Sequence, residues 1–253
     1  MTLVFLSELI GTAILILLGD GVVANVLLNK SGMKGAGPVQ ITFGWGLAVM
    51  LPAFVFGAAS GAHFNPALTL ALAADGSVAW NLVPAYIAGQ MLGAFIGATL
   101  VWALFYDHFK ATDDAALKRG CFCTAPSIPN APRNFLSEFI GTFLLVFTIK
   151  GIAQVTGCAG GLSYVFVFGI IVSIGMSLGG LTGYAINPAR DLGPRIAHAL
   201  LPVPGKGPSN WGHAWIPVLA PMQCHANAMT KWNAYCWMTK NENCADNFVD
   251  PHC

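Results

Sequence analysis

Apolar runs long enough to cross a bilayer, about 20 residues each, fall near 4–28, 39–59, 84–106, 135–157 and 162–181. This pattern predicts five membrane-spanning helices. A sixth run opens at Trp215-Ile216-Pro217-Val218-Leu219-Ala220-Pro221 and then meets Gln223, His225, Asn227, Lys231 and Asn233. A lipid-facing helix does not accept so many polar side chains, so the composition does not support a sixth span. Two shorter apolar runs follow Asn65-Pro66-Ala67 and Asn187-Pro188-Ala189. In each copy Asn suits the N-cap and Pro the first helical position. Neither run is long enough to span, and both read as half-helices.

The chain repeats itself. LSELIGT at 6–12 returns as LSEFIGT at 136–142, 130 positions later, and the two Asn-Pro-Ala (NPA) copies lie 122 apart. Each half therefore runs span, span, half-helix, span. An odd number of spans per half inserts the second half upside down and brings matching features to one midplane. The expected fold is an all-α membrane protein, an inverted repeat of three spans plus one re-entrant half-helix per half, with the sixth span unsupported. The organisation that follows is a first repeat over 1–106, a connecting loop over 107–134, a second repeat over 135–221 and an atypical polar tail over 222–253. The connection carries Asp107, Lys110, Asp113, Asp114, Lys118, Arg119 and Arg133, with three Pro towards its end, and is expected to be a polar surface segment.

Composition agrees with the pattern. Hydrophobic residues make up 55% and charged residues 9%, where a soluble domain has about 25% charged; mean hydropathy is +0.64. The 29 Gly and 15 Pro suit closely packed membrane helices and re-entrant loops. A net charge of +1 gives no case for nucleic acid. The amino terminus has no basic n-region and no small-residue cleavage site, so it reads as a first span and not a signal peptide. Seven Cys form no zinc-like spacing, Cys121 and Cys123 are too close for an ordinary disulfide, and no metal is expected. Cys224, His225, Cys236, Cys244, His252 and Cys253 match no usual ligand spacing and read as accidental.

Glu8 and Glu138 occupy equivalent places within apolar spans, where an ionisable group is costly and functional by default. We read each as accepting hydrogen bonds from the backbone of a re-entrant loop; the alternative is an interfacial carboxylate near a helix end. Two half-helices meeting by their amino ends place two positive dipole ends, each about half a charge, at one depth. That arrangement repels cations, while the Asn side chains still offer amide donors to a hydroxyl or water oxygen. The chemistry is that of a filter for neutral polar solutes.

SGAHFNPALT at 60–69 and LTGYAINPARDLGP at 181–194, together with the Glu repeat, resemble the major intrinsic proteins, whose fold is aquaporin-like, and within them the aquaglyceroporins. The resemblance runs from about residue 4 to Pro221. It implies a selectivity filter of Trp45, Gly175, Tyr184 and Arg190, in which Trp45 and Tyr184 face a carbon backbone and Arg190 donates to hydroxyls and repels cations. Water-only relatives place His where Gly175 stands, so Gly175 implies a wider opening. Asp191 directly after NPAR at 187–190 matches the glycerol-conducting pattern. The carbonyls of Gly61, Ala62, His63 and Phe64, and of Gly183, Tyr184, Ala185 and Ile186, are expected to form a ladder of acceptors, with His63 structuring its loop.

The resemblance further implies a passive, multi-pass cell-membrane channel for glycerol and other small neutral polyols, with water as a second permeant and ions and protons excluded. It implies a homotetramer with one pore per subunit in the lipid bilayer, no enzymatic reaction and no cofactor. The rivals are a water-selective channel, an inverted-repeat secondary transporter, and a non-conducting truncated or frameshifted channel. The last arises because the sequence after Pro221 reads like translation in a shifted frame. The resemblance places the amino terminus in the cytoplasm, whereas counting Lys30, Lys34, Lys110, Lys118, Arg119 and Arg133 by the positive-inside rule gives the reverse.

Overall fold

The computed structural model describes residues 1–158 and 161–224. The described residues are helical without strands. Among the described residues five helices are long and apolar enough to cross a membrane: α1 (Thr2–Leu27), α2 (Pro38–Ser60), α4 (Val83–Leu104), α7 (Ala131–Ile152) and α8 (Leu162–Thr182). Between them lie α3 (Pro66–Ala74) and the short helices α5 (Tyr106–Lys110) and α6 (Ala115–Gly120), and after α8 come α9 (Pro188–Leu200) and the short α10 (Trp211–Ala214). Phe43, Leu47, Leu51 and Phe54 line one exposed face of α2, the spacing of a helix side turned to lipid.

The two halves are built alike. α2 and α8 each end at a glycine in the left-handed region, Gly61 at φ 81° and Gly183 at φ 85°, the ordinary way to stop a helix and turn the chain back. Four residues later Asn65 and Asn187 cap α3 and α9, each with Pro in the first turn. α1 packs against α2 and α4, α2 against α8, α4 against α9, and α7 against α8. The α1–α4 contact is close because Gly89, Gly93 and Gly97 set α4 against the carbonyls of Phe5, Leu9 and Ala13, the small-residue packing of membrane helices.

The connection over 107–134 differs from the expected polar surface segment. Phe109, Cys121, Phe122 and Cys123 are buried, and the loop is tied down at both ends of its helical stretch. Asn29 donates from its backbone to Thr112 Oγ1 (2.8 Å) and from its amide to Ala111 O (2.9 Å), and Lys118 donates to Pro204 O. The segment is charged in composition, but Phe122 packs on His198 and Thr124 bonds to Asp191, both of α9. Its apolar residues supply the packing that its charges obscured.

Residues 216–224 are helical and close on α7 and α3: Cys224 is fully buried in a cluster with Leu68, Ala71 and Val146. The start of the sixth apolar run touches α7 through Trp215 on Phe135, ring centroids 6.0 Å apart, and Cys224 reaches both halves through α3 and α7. The remainder of the atypical tail, 225–253, including His225, Cys236, Cys244, His252 and Cys253, lies outside the described residues.

Candidate functional site

The centre of the molecule is the meeting point of α3 and α9. Asn65 Oδ1 accepts from Ala67 N (2.9 Å), and Asn187 Oδ1 accepts from Ala189 N (3.0 Å) and Arg190 N (3.3 Å). Because each side-chain oxygen is committed to capping its own helix, each amide nitrogen must point away from it. Asn65 Nδ2 donates to Ile186 O (2.9 Å) and Asn187 Nδ2 donates to Phe64 O (2.7 Å). The two half-helices are joined amino end to amino end by reciprocal bonds, with one N–H of each amide left over.

The loops before these caps are strained. Ala62, Phe64, Tyr184 and Ile186 have φ between 40° and 53°, a region that costs a non-glycine residue of order 1–3 kcal/mol. Two buried carboxylates hold them there. Glu8 accepts from Ser60 Oγ (2.6 Å), His63 N (3.1 Å), Phe64 N (2.7 Å) and Gln90 Nε2 (2.8 Å). Glu138 accepts from Thr182 Oγ1 (2.6 Å), Ala185 N (3.0 Å) and Ile186 N (2.8 Å). Ser60, His63 and Phe64 are offset by 122 positions from Thr182, Ala185 and Ile186, the same offset as the Asn pair. His63 stacks on Tyr86 with ring centroids 4.3 Å apart, and its Nδ1 lies 3.1 Å from Thr69 Oγ1.

A single cavity runs past this point. It is lined on the polar side by Gly61, Ala62, His63, Asn65, Tyr184, Ala185, Ile186, Asn187 and Arg190, and elsewhere by Trp45 and aliphatic side chains such as Leu15, Val49, Leu145 and Val167. Phe64 and Gly183, from the expected carbonyl ladder, do not line it. The carbonyls of Phe64 and Ile186 each accept from the opposite Asn, leaving one lone pair apiece. Arg190 Cζ sits 4.0 Å over the Trp45 ring, a cation–π contact. Gly175 is also outside the lining. A Cβ there would approach Tyr184 Cζ to 2.9 Å and Thr42 Cγ2 to 2.7 Å, so the Tyr184 ring and the Thr42 methyl occupy the space beside Gly175.

The site rests on an ionic clamp. Arg195 and Asp191 are both fully buried and pair through Nε–Oδ1 (2.8 Å) and Nη2–Oδ2 (2.9 Å). Asp191 also accepts from Thr124 N (2.8 Å) and Oγ1 (2.6 Å), while Arg195 donates to Ser209 O, Asn210 O and Thr124 O. Asp191 thus ties α9 to the connection between the halves and does not touch the cavity. The nearby Cys123 thiol is pushed up to about 12, chiefly by burial. Sequence reasoning missed Asp20, Gln90, Thr124 and Arg195. Asp20 was legible by the rule that flagged Glu8, an acid inside an apolar span, and Arg195 as the i+4 partner of Asp191; nothing local marked Thr124.

The family model described as "Major intrinsic protein" matches residues 2–228. The chain belongs to the major intrinsic protein family. Membership makes it a multi-pass channel protein of the cell membrane and not an enzyme. A glycerol uptake facilitator protein of Bacillus subtilis is 55% identical over 218 residues, covering 86% of this chain and 79% of that protein. A probable glycerol uptake facilitator protein of Thermotoga maritima is 50% identical over 219 residues, covering 87% and 93%. The solved aquaglyceroporin from Plasmodium falciparum superposes with a TM-score of 0.79 at 30% identity, covering 90% of this chain and 94% of that one.

Proposed function

We propose that this major intrinsic protein is a passive channel for glycerol and other small neutral polyols, with water as a second permeant, and that it excludes ions and protons. The observation that carries the reading is the pair of NPA caps. Each Asn has its oxygen locked into a helix start and its nitrogen turned to the midline. A permeant oxygen at that point can accept from the remaining amide N–H of each Asn, backed by two positive dipole ends. A cation is repelled there, and a chain of waters must break its donor direction, which interrupts proton relay.

In this reading Trp45, Tyr184 and Arg190 form the constriction, and the carbonyls of Gly61, Ala62, His63, Tyr184 and Ala185 take over a solute's water contacts. Gly175 shapes the filter through Tyr184, and Glu8 and Glu138 hold the two loops. The closely related chains named as glycerol uptake facilitators support glycerol as the solute. Assembly as a homotetramer in the bilayer belongs to the same proposal.

Tracer glycerol uptake into vesicles carrying the purified chain tests it. Uptake should be linear in glycerol over a wide range and unchanged by sodium or proton gradients. Saturable uptake driven by an ion gradient would replace the channel with a transporter. One observation favours a narrower pore: Tyr184 fills the room at Gly175. Rapid osmotic water flow without tracer glycerol uptake would decide for that water-selective reading.

A further inference from the structure

We propose that Asp20, on α1, is a specificity-determining residue that acts through Arg190, as the buried counter-charge that positions the guanidinium and cancels its charge at the constriction. The proposal rests on Arg190 being a pore residue, as read above. Asp20 is 1% exposed, and its Oδ1 lies 3.8 Å from Arg190 Nη1. Among the described residues neither Asp20 oxygen nor Arg190 Nη1 has a hydrogen-bond partner.

The neighbouring charges leave Asp20 and Arg190 to each other. Asp191, the next acid along, is engaged by Arg195 and Thr124, and Arg195 is engaged by Asp191 and three carbonyls. A carboxylate buried at membrane depth needs a cationic partner, and among the described residues Arg190 is the cation within ion-pair range of Asp20. The residue before it, Gly19, packs on Trp45 so closely that a Cβ would strike the indole, and Trp45 is the ring under the Arg190 guanidinium. One turn of the first span therefore backs both filter side chains, by shape at Gly19 and by charge at Asp20.

At 3.8 Å the pair compensates charge without consuming the guanidinium donors in direct hydrogen bonds. Nη1 is buried beside Asp20, so the donors left for a permeant hydroxyl are those on the rest of the guanidinium. A net-neutral pair also attracts a small anion far less than a lone guanidinium would. The filter then selects neutral hydroxylated solutes against both signs of charge.

Vesicle uptake of glycerol and of formate is measured for the wild-type chain, Asp20→Asn, Arg190→Ala and the double variant. Asn has the shape of Asp without its charge. Asp20→Asn should lower glycerol uptake roughly fivefold and raise the formate-to-glycerol ratio, and it should have no further effect in the Arg190→Ala background. Thermal unfolding supplies the second readout: Arg190→Ala strands a buried carboxylate and should unfold earlier than the double variant. Wild-type behaviour of Asp20→Asn, or the same fold-change in both backgrounds, overturns the proposal. If Asp20→Asn yields no folded protein, recovery of folding in the double variant supports the pairing and failure to recover overturns it. Unchanged uptake in Arg190→Ala would instead strike the reading of Arg190 as a pore residue, and the present proposal with it.

Discussion

Glu8 and Glu138 look interchangeable in sequence, but their surroundings differ in one respect. Each receives two backbone N–H groups, one on each oxygen, and these cannot turn away. A Gln in either place would face one of them with its own NH2, leaving a buried donor unmet at about 1–3 kcal/mol. Around Glu8 both the Ser60 hydroxyl and the Gln90 amide, whose Oε1 has no partner at present, can turn to accept from a new NH2, whereas around Glu138 the Thr182 hydroxyl is the one side chain bonded to the carboxylate that can do so. Glu138→Gln should therefore lower the unfolding temperature in detergent more than Glu8→Gln. Equal losses would show that Gln90 does not adapt. At Gly175 the added methyl of Ala would press on Tyr184 and Thr42. Such overpacking costs about 1–3 kcal/mol, and if about 1 kcal/mol reaches the permeation barrier, glycerol uptake by Gly175→Ala should fall roughly fivefold. Unchanged uptake would mean that Tyr184 can move aside.

Among the elements, α9 and α3 are held in different ways. α9 depends on the Asp191–Arg195 clamp, buried at both ends. Removing one partner of such a pair costs about 3–5 kcal/mol, so Asp191→Ala should give a large loss of thermal stability and release the connection at Thr124. Limited proteolysis within 121–130 should then proceed faster than in the wild type, and an unchanged cleavage rate would place the anchoring of the loop elsewhere. α3 is held at its carboxyl end by Lys150 Nζ to Asp75 Oδ2 (2.6 Å). Burial raises the Asp75 carboxyl, but hydrogen bonds from Lys150 and Ser77, with the lysine charge, outweigh it and hold the group below its usual value. A carboxyl lowered on folding stabilises above its unfolded value and loses that contribution as pH falls through the folded one. The difference in unfolding temperature between wild type and Lys150→Met should accordingly shrink below about pH 4; a constant difference would rule the pair out as its source.

At the scale of the whole molecule, the hydrophobic pattern located all five spans and both half-helices within a few residues, because a bilayer imposes length and polarity so strictly. The inverted repeat was equally legible, from LSE at 6–8 and 136–138 and from the two NPA copies. The inward fold of 107–134 was not, since its buried Phe109 and Phe122 are scattered among charges and follow no helical period. The place of Tyr184 in the room left by Gly175 was also hidden, because a missing side chain in sequence says nothing of what moves in to fill it. Residues 216–224 are helical and Cys224 packs against α7 and α3, so the helix continues past Pro221, where the composition changes.

The central claim is passive passage of a neutral polyol along the path between the two NPA caps. Stopped-flow light scattering of vesicles carrying the purified chain, mixed with a hyperosmotic glycerol solution, tests it most directly, with a non-permeant osmolyte as the control. The account predicts fast shrinkage followed by re-swelling in glycerol well above the rate of empty vesicles, and shrinkage without re-swelling in the control. Re-swelling in glycerol no faster than that of empty vesicles would contradict it.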